Sequence, residues 1–450
     1  MNLYRKLLER ASQQNALRVG VIGAGKFGSM YLAQAKHTPG IHIVAIADLS
    51  IDRAKASLER TGWPKERVAA RSFGEAHKSG TTLVTDDADS LIASDAIDIV
   101  IDATGNPGAG IHHALQCCSH GKHVVMVNVE ADALAGPLLA QRARQAGIVY
   151  SLAYGDQPAL ICELVDWCRA AGFEVVAAGK GTKYLPAYHA STPDTVWEHY
   201  GFSAEDVARG DFNAQMFNSF LDGTKSAIEM AAVANATGLA PAPDGLKFPP
   251  CGVDDLPRVL RPADEGGALH HAGQVEVISS VERDGRPVFR DLRWGVYVTF
   301  RAGSDDGEAY VRRCFREYGF STDPSGRYCA MYKPYHAIGL ELGITVASIG
   351  LRNEPTGQPS AWHADVAATA KRDLAAGETL DGEGGYTVYG MLRPAAASVA
   401  QCALPLGLAH GLALKRAVAA NATVSWNDVV YDERTPSIAF RREMERAFAK

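Results

Sequence analysis

Apolar and polar positions along the first third of the chain repeat in one order. A short β-rich run, "LRVGVIG" (17–23), leads into a stretch of helical character, "SMYLAQAKH", and then into a second apolar run, "IHIVAIAD" (41–48). The segments "AIDIVIDATGNPGAG" (96–110), "KHVVMVNVEAD" (122–132) and "AGIVYSLAYGDQP" (146–158) each read as a buried strand followed by a turn. Apolar runs separated by helical stretches fit strands covered on both faces, as in a parallel sheet. The pattern predicts an α/β Rossmann domain, doubly wound, over residues 1–165. Ahead of it, Tyr4, Leu7, Leu8 and Ala11 share one helical face, which predicts a short docking helix or a frayed terminus.

From 166 to 358 the alternation fades. Gly/Pro-rich connections such as "LAPAPDGLKFPPCG" appear beside the strand-like runs "GQVEVISSVER" and "WGVYVTFRA". This predicts an α+β substrate domain. Residues 359–450 predict a small β-rich module, with strands at either end of "HADVAATAKRDLAAGETLDGEGGYTVYGMLRP". A terminal helix is expected over "SIAFRREMERAFAK", and "SVAQCALPLGLAHGLAL" (398–414) reads as buried core because Gln401, Pro405, Gly407 and His410 interrupt it.

The first strand runs into Gly23-Ala24-Gly25-Lys26-Phe27-Gly28, a GxGxxG pattern. With a strand before it, a helix after it and an acid ending the next strand, it is a dinucleotide-binding signature. Gly23 permits the tight turn, Gly25 the approach of a pyrophosphate, and Gly28 close helix–strand packing; Lys26 and Phe27 fill the variable positions. Asp48 ends the second strand twenty residues beyond Gly28. It reads as an acceptor for the adenine-ribose hydroxyls, favouring NAD over NADP, or as a solvated turn residue. Arg53 keeps NADP open. Ligands of such sheets lie beyond the strand C-termini. That places Ala103-Thr104-Gly105, Asn128, Glu130 and Asp156 as candidates for the nicotinamide and substrate ends, with plain turns and helix caps as the alternative.

The opening strand of the substrate domain ends in "VVAAGKGTKY", so Lys180 and Lys183 are expected just after it. "FLDGTKSAIEM" adds Asp222, Lys225 and Glu229, the last two four apart on one helical face. A surface ion pair would explain them. The surrounding helix is small and apolar, however, and a lysine buried there needs a partner. These four residues, Lys180, Lys225, Glu229 and Asp222, are the catalytic candidates. In nicotinamide chemistry the protein delivers the proton and steadies the oxyanion, which lysines do when desolvated. "CAMYKPYHAIGLE" brings Lys333, Tyr335, His336 and Glu341 together as candidates for an anionic substrate group; His336 reads equally as a satisfied core histidine. Arg312, Arg313 and Arg316 read as a solvated helix face.

Composition narrows this further. The chain of 450 residues is 47% hydrophobic and 21% charged, with a net charge of −6. It carries no basic footprint for nucleic acid and no apolar run that spans a bilayer. Its start lacks the charged-then-apolar order of an export signal, so a cytoplasmic location and reduced thiols are expected for the eight cysteines. Asp156, Glu229 and Glu341 are oxygen donors for a divalent metal, but no spacing demands one.

"GKHVVMVNVEAD", "AGKG", "DGTKSAIEMAAVANATGL" and "YKPYH" together resemble the homoserine-dehydrogenase-like oxidoreductases that carry a C-terminal SAF domain, and among them the 1-deoxy-D-xylulose 5-phosphate reductoisomerase-like enzymes. "AKRDLAAGETLDG" and "LKRAVAANATVSWND" resemble the two halves of the SAF module. The resemblance implies an NAD(P)-dependent oxidoreductase acting on a small polar, phosphorylated or unphosphorylated, carbonyl or hydroxyl substrate. It also implies a homo-oligomer, dimer or tetramer, with subunit contacts in the middle domain. Reductoisomerase-like members use NADPH, whereas Asp48 fits NAD. The narrower alternatives are the reductoisomerase-like reaction, a homoserine dehydrogenase, and a nucleotide-sensing regulator without turnover.

Overall fold

The computed structural model describes residues 2–209, 212–303 and 307–448. They form two units, Met1–Leu160 with His336–Pro359 and Ile161–Tyr335 with Ser360–Lys450.

In the first unit the apolar runs become β1 (Leu17–Ile22), β2 (Ile41–Ala47), β3 (Leu83–Thr85), β4 (Ile99–Asp102), β5 (His123–Met126) and β6 (Tyr150–Leu152). All neighbours are parallel, in the order β3-β2-β1-β4-β5-β6. Val19, Val21, Val44, Ile46, Val100 and Val124 are fully buried, as strands covered on both faces require. The order reverses between β1 and β4, which puts a crevice at their carboxyl ends. β3 lies outside the predicted strands: its three residues are only half-buried and carry too short a pattern to read. The leading helix forms over Leu3–Ser12, but Leu7 alone is buried, while Tyr4 and Leu8 are exposed. Leu7 shares its core with Leu342 and Val346, which the chain brings back to this unit.

The second unit holds a mixed sheet of β7 (Glu174–Thr182), β8 (Gln274–Ser279), β9 (Val296–Arg301), β10 (Ser321–Thr322) and β11 (Tyr328–Lys333), in the order β10-β11-β9-β7-β8. Lys180, expected after the strand, lies inside β7, between Val277 of β8 and Val296 of β9. The glycines beside it do not end the strand. A Cβ on Gly179 would stand 1.7 Å from the Glu276 carbonyl oxygen, and one on Gly181 2.0 Å from that of Leu292. Glycine is needed there because neighbouring backbone comes too close for a side chain.

The helix Thr224–Thr237 is buried around almost its whole circumference, with only Lys225 and Ala236 partly exposed. Its many small side chains let neighbouring backbone pack closely around it. It contacts β7 and β8, and also the C-terminal hairpin of β12 (Ala364–Ala370) and β13 (Val388–Pro394). The later repeat yields only the short pair β14 (Ala413–Leu414) and β15 (Val429–Val430). The terminal helix runs from Pro436 to Phe448; the last two residues expected in it lie outside the described set. Its Arg441, 1% exposed, makes two hydrogen bonds to buried Asp365, of 3.0 and 2.7 Å.

Asp132 and Glu276 are buried carboxyl groups for which the described residues form no ion pair. Asp132 accepts the Tyr150 hydroxyl at 2.7 Å, and burial pushes its pKa up to about 7. Glu276 accepts the backbone N–H groups of Lys247, Phe248 and Val277, and burial likewise pushes it up to about 7. The folded chain therefore holds protons that the unfolded chain has already released. Stability conferred below the unfolded carboxyl range is lost as pH rises toward the folded values. Asp132→Asn is expected to raise the unfolding midpoint relative to the parent protein at about pH 8, with the gap closing toward about pH 4. Denaturant titrations across that range measure it.

Candidate functional site

The first unit holds the nucleotide candidates. Gly23 turns with φ +98°, and a Cβ there would stand 2.6 Å from the Ala103 carbonyl oxygen. Gly28 lies under the turn, where a Cβ would meet the Gly23 carbonyl oxygen at 2.3 Å. Gly25 differs: it is exposed, and a Cβ there would touch no protein atom within 4 Å. It is the N-cap of the Lys26–Ala35 helix, which has no side-chain cap, so first-turn N–H groups remain for an anion. Lys26 is exposed, and Phe27 packs against the core. An open glycine before an uncapped helix fits a dinucleotide's phosphates.

Asp48 departs from the expected exposed acid. Its side chain is 1% exposed. One oxygen accepts the Ala24 N–H at 2.8 Å, and the other accepts the Ser50 N–H at 2.9 Å and the Arg53 guanidinium at 2.7 Å. The carboxylate is thus occupied in tying β2 to the glycine loop. The charged group at the surface is Arg53, whose side chain is 61% exposed.

At the ends of β4 and β5 the sequence candidates sit over a buried network that sequence reasoning missed. Asp102, fully buried, accepts from the Thr104 N–H (3.1 Å) and hydroxyl (2.8 Å) and from Nδ1–H of His113 (2.5 Å). Asn128, 1% exposed, donates to the Asn106 carbonyl at 2.7 Å and to the Thr104 hydroxyl at 3.1 Å, and caps the Val129–Gln145 helix. Ala103 and Thr104 are half-buried, Gly105 is exposed with φ +68°, and Glu130 is half-buried in that helix's first turn. Asp156 is half-buried at the head of the Gln157–Ala170 helix. His336 and Glu341 are half-buried, with Glu341 accepting the Ala337 N–H at 3.3 Å.

In the second unit Lys180, 5% exposed, forms an ion pair with Glu229, 2% exposed. Among the described contacts Glu229 is its one partner. Lys225 lies one turn earlier on the Glu229 helix and is half-buried. Asp222 is fully buried. Its carboxylate pairs with Lys371 at 2.8 Å and accepts the Thr224 N–H at 2.9 Å. Burial pushes that carboxyl up, against the pull of Lys371. Lys183 donates to the His199 carbonyl at 2.5 Å, and burial, then Arg293, lowers its pKa. Lys333 ends β11 half-buried, and Tyr335 is 61% exposed. Arg312, Arg313 and Arg316 lie on the Glu308–Glu317 helix, as expected of a polar face; Arg312 and Arg313 pair with Glu308 and Glu317. Lys371 had no signal, because "TAKRD" reads as a strand end. No cluster of three or more metal-ligating side chains occurs among the described residues.

Residues 17–126 match the family model described as oxidoreductase family, NAD-binding Rossmann fold (GFO/IDH/MocA). Residues 155–342 match the model described as oxidoreductase DRL, catalytic domain. The chain carries an NAD-binding domain and an oxidoreductase catalytic domain. A search of curated proteins finds no match. Among solved structures, an NAD-binding oxidoreductase from Klebsiella pneumoniae is 18% identical, with 39% of this chain and 47% of that one covered and a TM-score of 0.28. A myo-inositol dehydrogenase from Corynebacterium glutamicum is 14% identical (40% and 48% covered, TM-score 0.28). The Lactobacillus casei myo-inositol dehydrogenase with NAD(H) and myo-inositol is 18% identical (40% and 50% covered, TM-score 0.27). This chain spans about half the length of each. Among the described residues no helix is long and apolar enough to cross a membrane.

The glycine geometry separates binding from folding. Gly25→Val is expected to weaken NAD(H) binding about tenfold or more with only the small fall in thermal midpoint that loss of a glycine N-cap brings, because its side chain would enter open space. Gly28→Val is expected to lower both. Cofactor titration by fluorescence and thermal unfolding of the same samples check the split.

Proposed function

We propose that the chain transfers a hydride between NAD(P) and a small polar carbonyl or hydroxyl compound, phosphorylated or not, with Lys180 and Lys225 assisting at the reacting oxygen. The observation that carries this is the buried Lys180–Glu229 pair within the matched catalytic domain. A buried ion pair is weak evidence for stability, because desolvation offsets the attraction. A role in chemistry accounts for its retention.

A bound nicotinamide supplies or accepts the hydride. The residues of this chain do the rest. Glu229 holds the Lys180 ammonium in place, and its remaining N–H groups serve a developing alkoxide. Lys225 delivers or removes the proton on that oxygen. Asp156, Lys183, Lys333, Tyr335 and His336 are proposed to bind the rest of the substrate, and Thr104, Asn128 and Glu130 to flank the nicotinamide. The exposed Arg53 supports use of NADP beside NAD, since a guanidinium suits a 2′-phosphate.

The reductoisomerase-like, homoserine-dehydrogenase and regulator alternatives, the SAF assignment of residues 359–450, the 1–165 and 166–358 domains, a homo-oligomer and a cytoplasmic location rest on sequence alone. Conversion of 1-deoxy-D-xylulose 5-phosphate, or of homoserine, would select between the narrow readings.

The test is turnover of a polyol, hydroxy-acid and sugar-phosphate panel with both cofactors. Lys180→Met combined with Glu229→Gln, which leaves no lone buried charge, is expected to lower kcat at least about a hundredfold with cofactor affinity intact. Lys183→Ala is expected to lower it far less. Full turnover in the double variant overturns the assignment. Arg53→Gln is expected to weaken NADP(H) binding more than NAD(H) binding, measured as the ratio of dissociation constants.

A further inference from the structure

We infer that residues 360–448 are a positioning element for the substrate site, holding the head of the Thr224–Thr237 helix through Lys371. The inference rests on the reading that Lys225 and Glu229 serve the reaction.

The head of that helix is fixed only in part by its own residues. Its N-cap is Gly223, in the left-handed region at φ +89°, which makes no side-chain cap hydrogen bond, and the Asp222 carboxylate accepts the Thr224 N–H at 2.9 Å. Groups from elsewhere in the chain supply the rest. The Lys371 ammonium is saturated: it donates to the Ser191 and Gly385 carbonyls, each at 2.7 Å, and pairs with the Asp222 carboxylate at 2.8 Å. The Asp222 carbonyl accepts Nδ1–H of His189 at 2.7 Å, and Tyr184 completes the chain by donating to Nε2 of that ring at 2.8 Å. Two residues on, the Thr224 hydroxyl accepts the Gly390 N–H of β13 at 2.8 Å. Gly390 must be glycine for this contact, since a Cβ would stand 2.8 Å from both Leu406 and Val366 side-chain atoms.

The far end of the helix is tied to the same hairpin. Oδ1 of Asn235 accepts the His363 and Ala364 N–H groups at 2.8 and 2.9 Å, and Nδ2 donates to the Ala364 carbonyl at 3.2 Å. The C-terminal segment thus grips both ends of one helix, and the two candidate groups, Lys225 and Glu229, lie between the grips. Displacement of a catalytic group by about 1 Å costs up to about a hundredfold in rate. A segment that holds the two ends of this helix can therefore set the rate.

Lys371→Met combined with Asp222→Asn removes the charges together, in the full-length protein, so no lone buried charge remains. Three measurements read it: the thermal midpoint, backbone amide exchange across Gly223–Ala227, and steady-state kinetics with the NAD(H) dissociation constant. A positioning role predicts a near-parental midpoint, exchange at the helix head faster by roughly tenfold or more, and kcat lower by roughly tenfold to a hundredfold with cofactor affinity unchanged. Lys371→Arg, which keeps the charge, is expected to recover part of the kcat. Unchanged exchange overturns the clamp. Faster exchange with unchanged kcat overturns the positioning role. If the parent protein turns over no substrate, faster exchange still supports the clamp, and the failure belongs to the proposed reaction.

Discussion

A buried carboxyl group is costly unless it keeps its proton or meets a cation, and two in the second unit meet a cation at the same helix. Glu229 and Asp222 lie on and just before one small-residue helix, and each meets a lysine from a different part of the chain. Lys180 reaches Glu229 from the centre of β7, and Lys371 reaches Asp222 from the C-terminal hairpin. Losing either lysine would strand a charge where desolvation is not repaid, which costs about 3–5 kcal/mol. The requirement therefore fixes where the helix lies relative to the sheet and where the hairpin lies relative to the helix.

The first unit was legible because its signals are local. Apolar runs of strand length, the glycine pattern and the acid closing the second run lie in one stretch. The readings that shifted depend on contacts between distant residues. Gly179 and Gly181 looked like the end of a strand; they are glycines because the carbonyls of Glu276 and Leu292 crowd them from segments a hundred residues on. Asp48 is where the pattern puts it, but its oxygens are taken by Ala24, Ser50 and Arg53, and only coordinates could reveal that competition.

The residues missed altogether share one property. Asp102, His113 and Lys371 are polar groups buried without a motif, each placed by the need to satisfy a buried partner: Asp102 and His113 meet each other, and Lys371 meets Asp222. Asp102 takes four donors from three segments and so ties together the turn after β4, which bears Thr104, and the turn after β5, which bears Asn128. Sequence patterns record burial of apolar surface well. They record a buried polar network poorly, because its members are few and far apart, and its geometry is exacting.

Burial alone does not separate the two lysines: Lys180 is 5% exposed and Lys371 8%. Their donor accounting does. An ammonium has three N–H groups. Lys371 uses them on two carbonyls and a carboxylate, so nothing is left for a ligand. Lys180 has Glu229 as its one partner among the described contacts. On the proposed reading, the rest of its ammonium faces a substrate oxygen. A buried ammonium favours that oxygen most when it carries negative charge, so the proposed role is selection of an alkoxide over the carbonyl from which it forms.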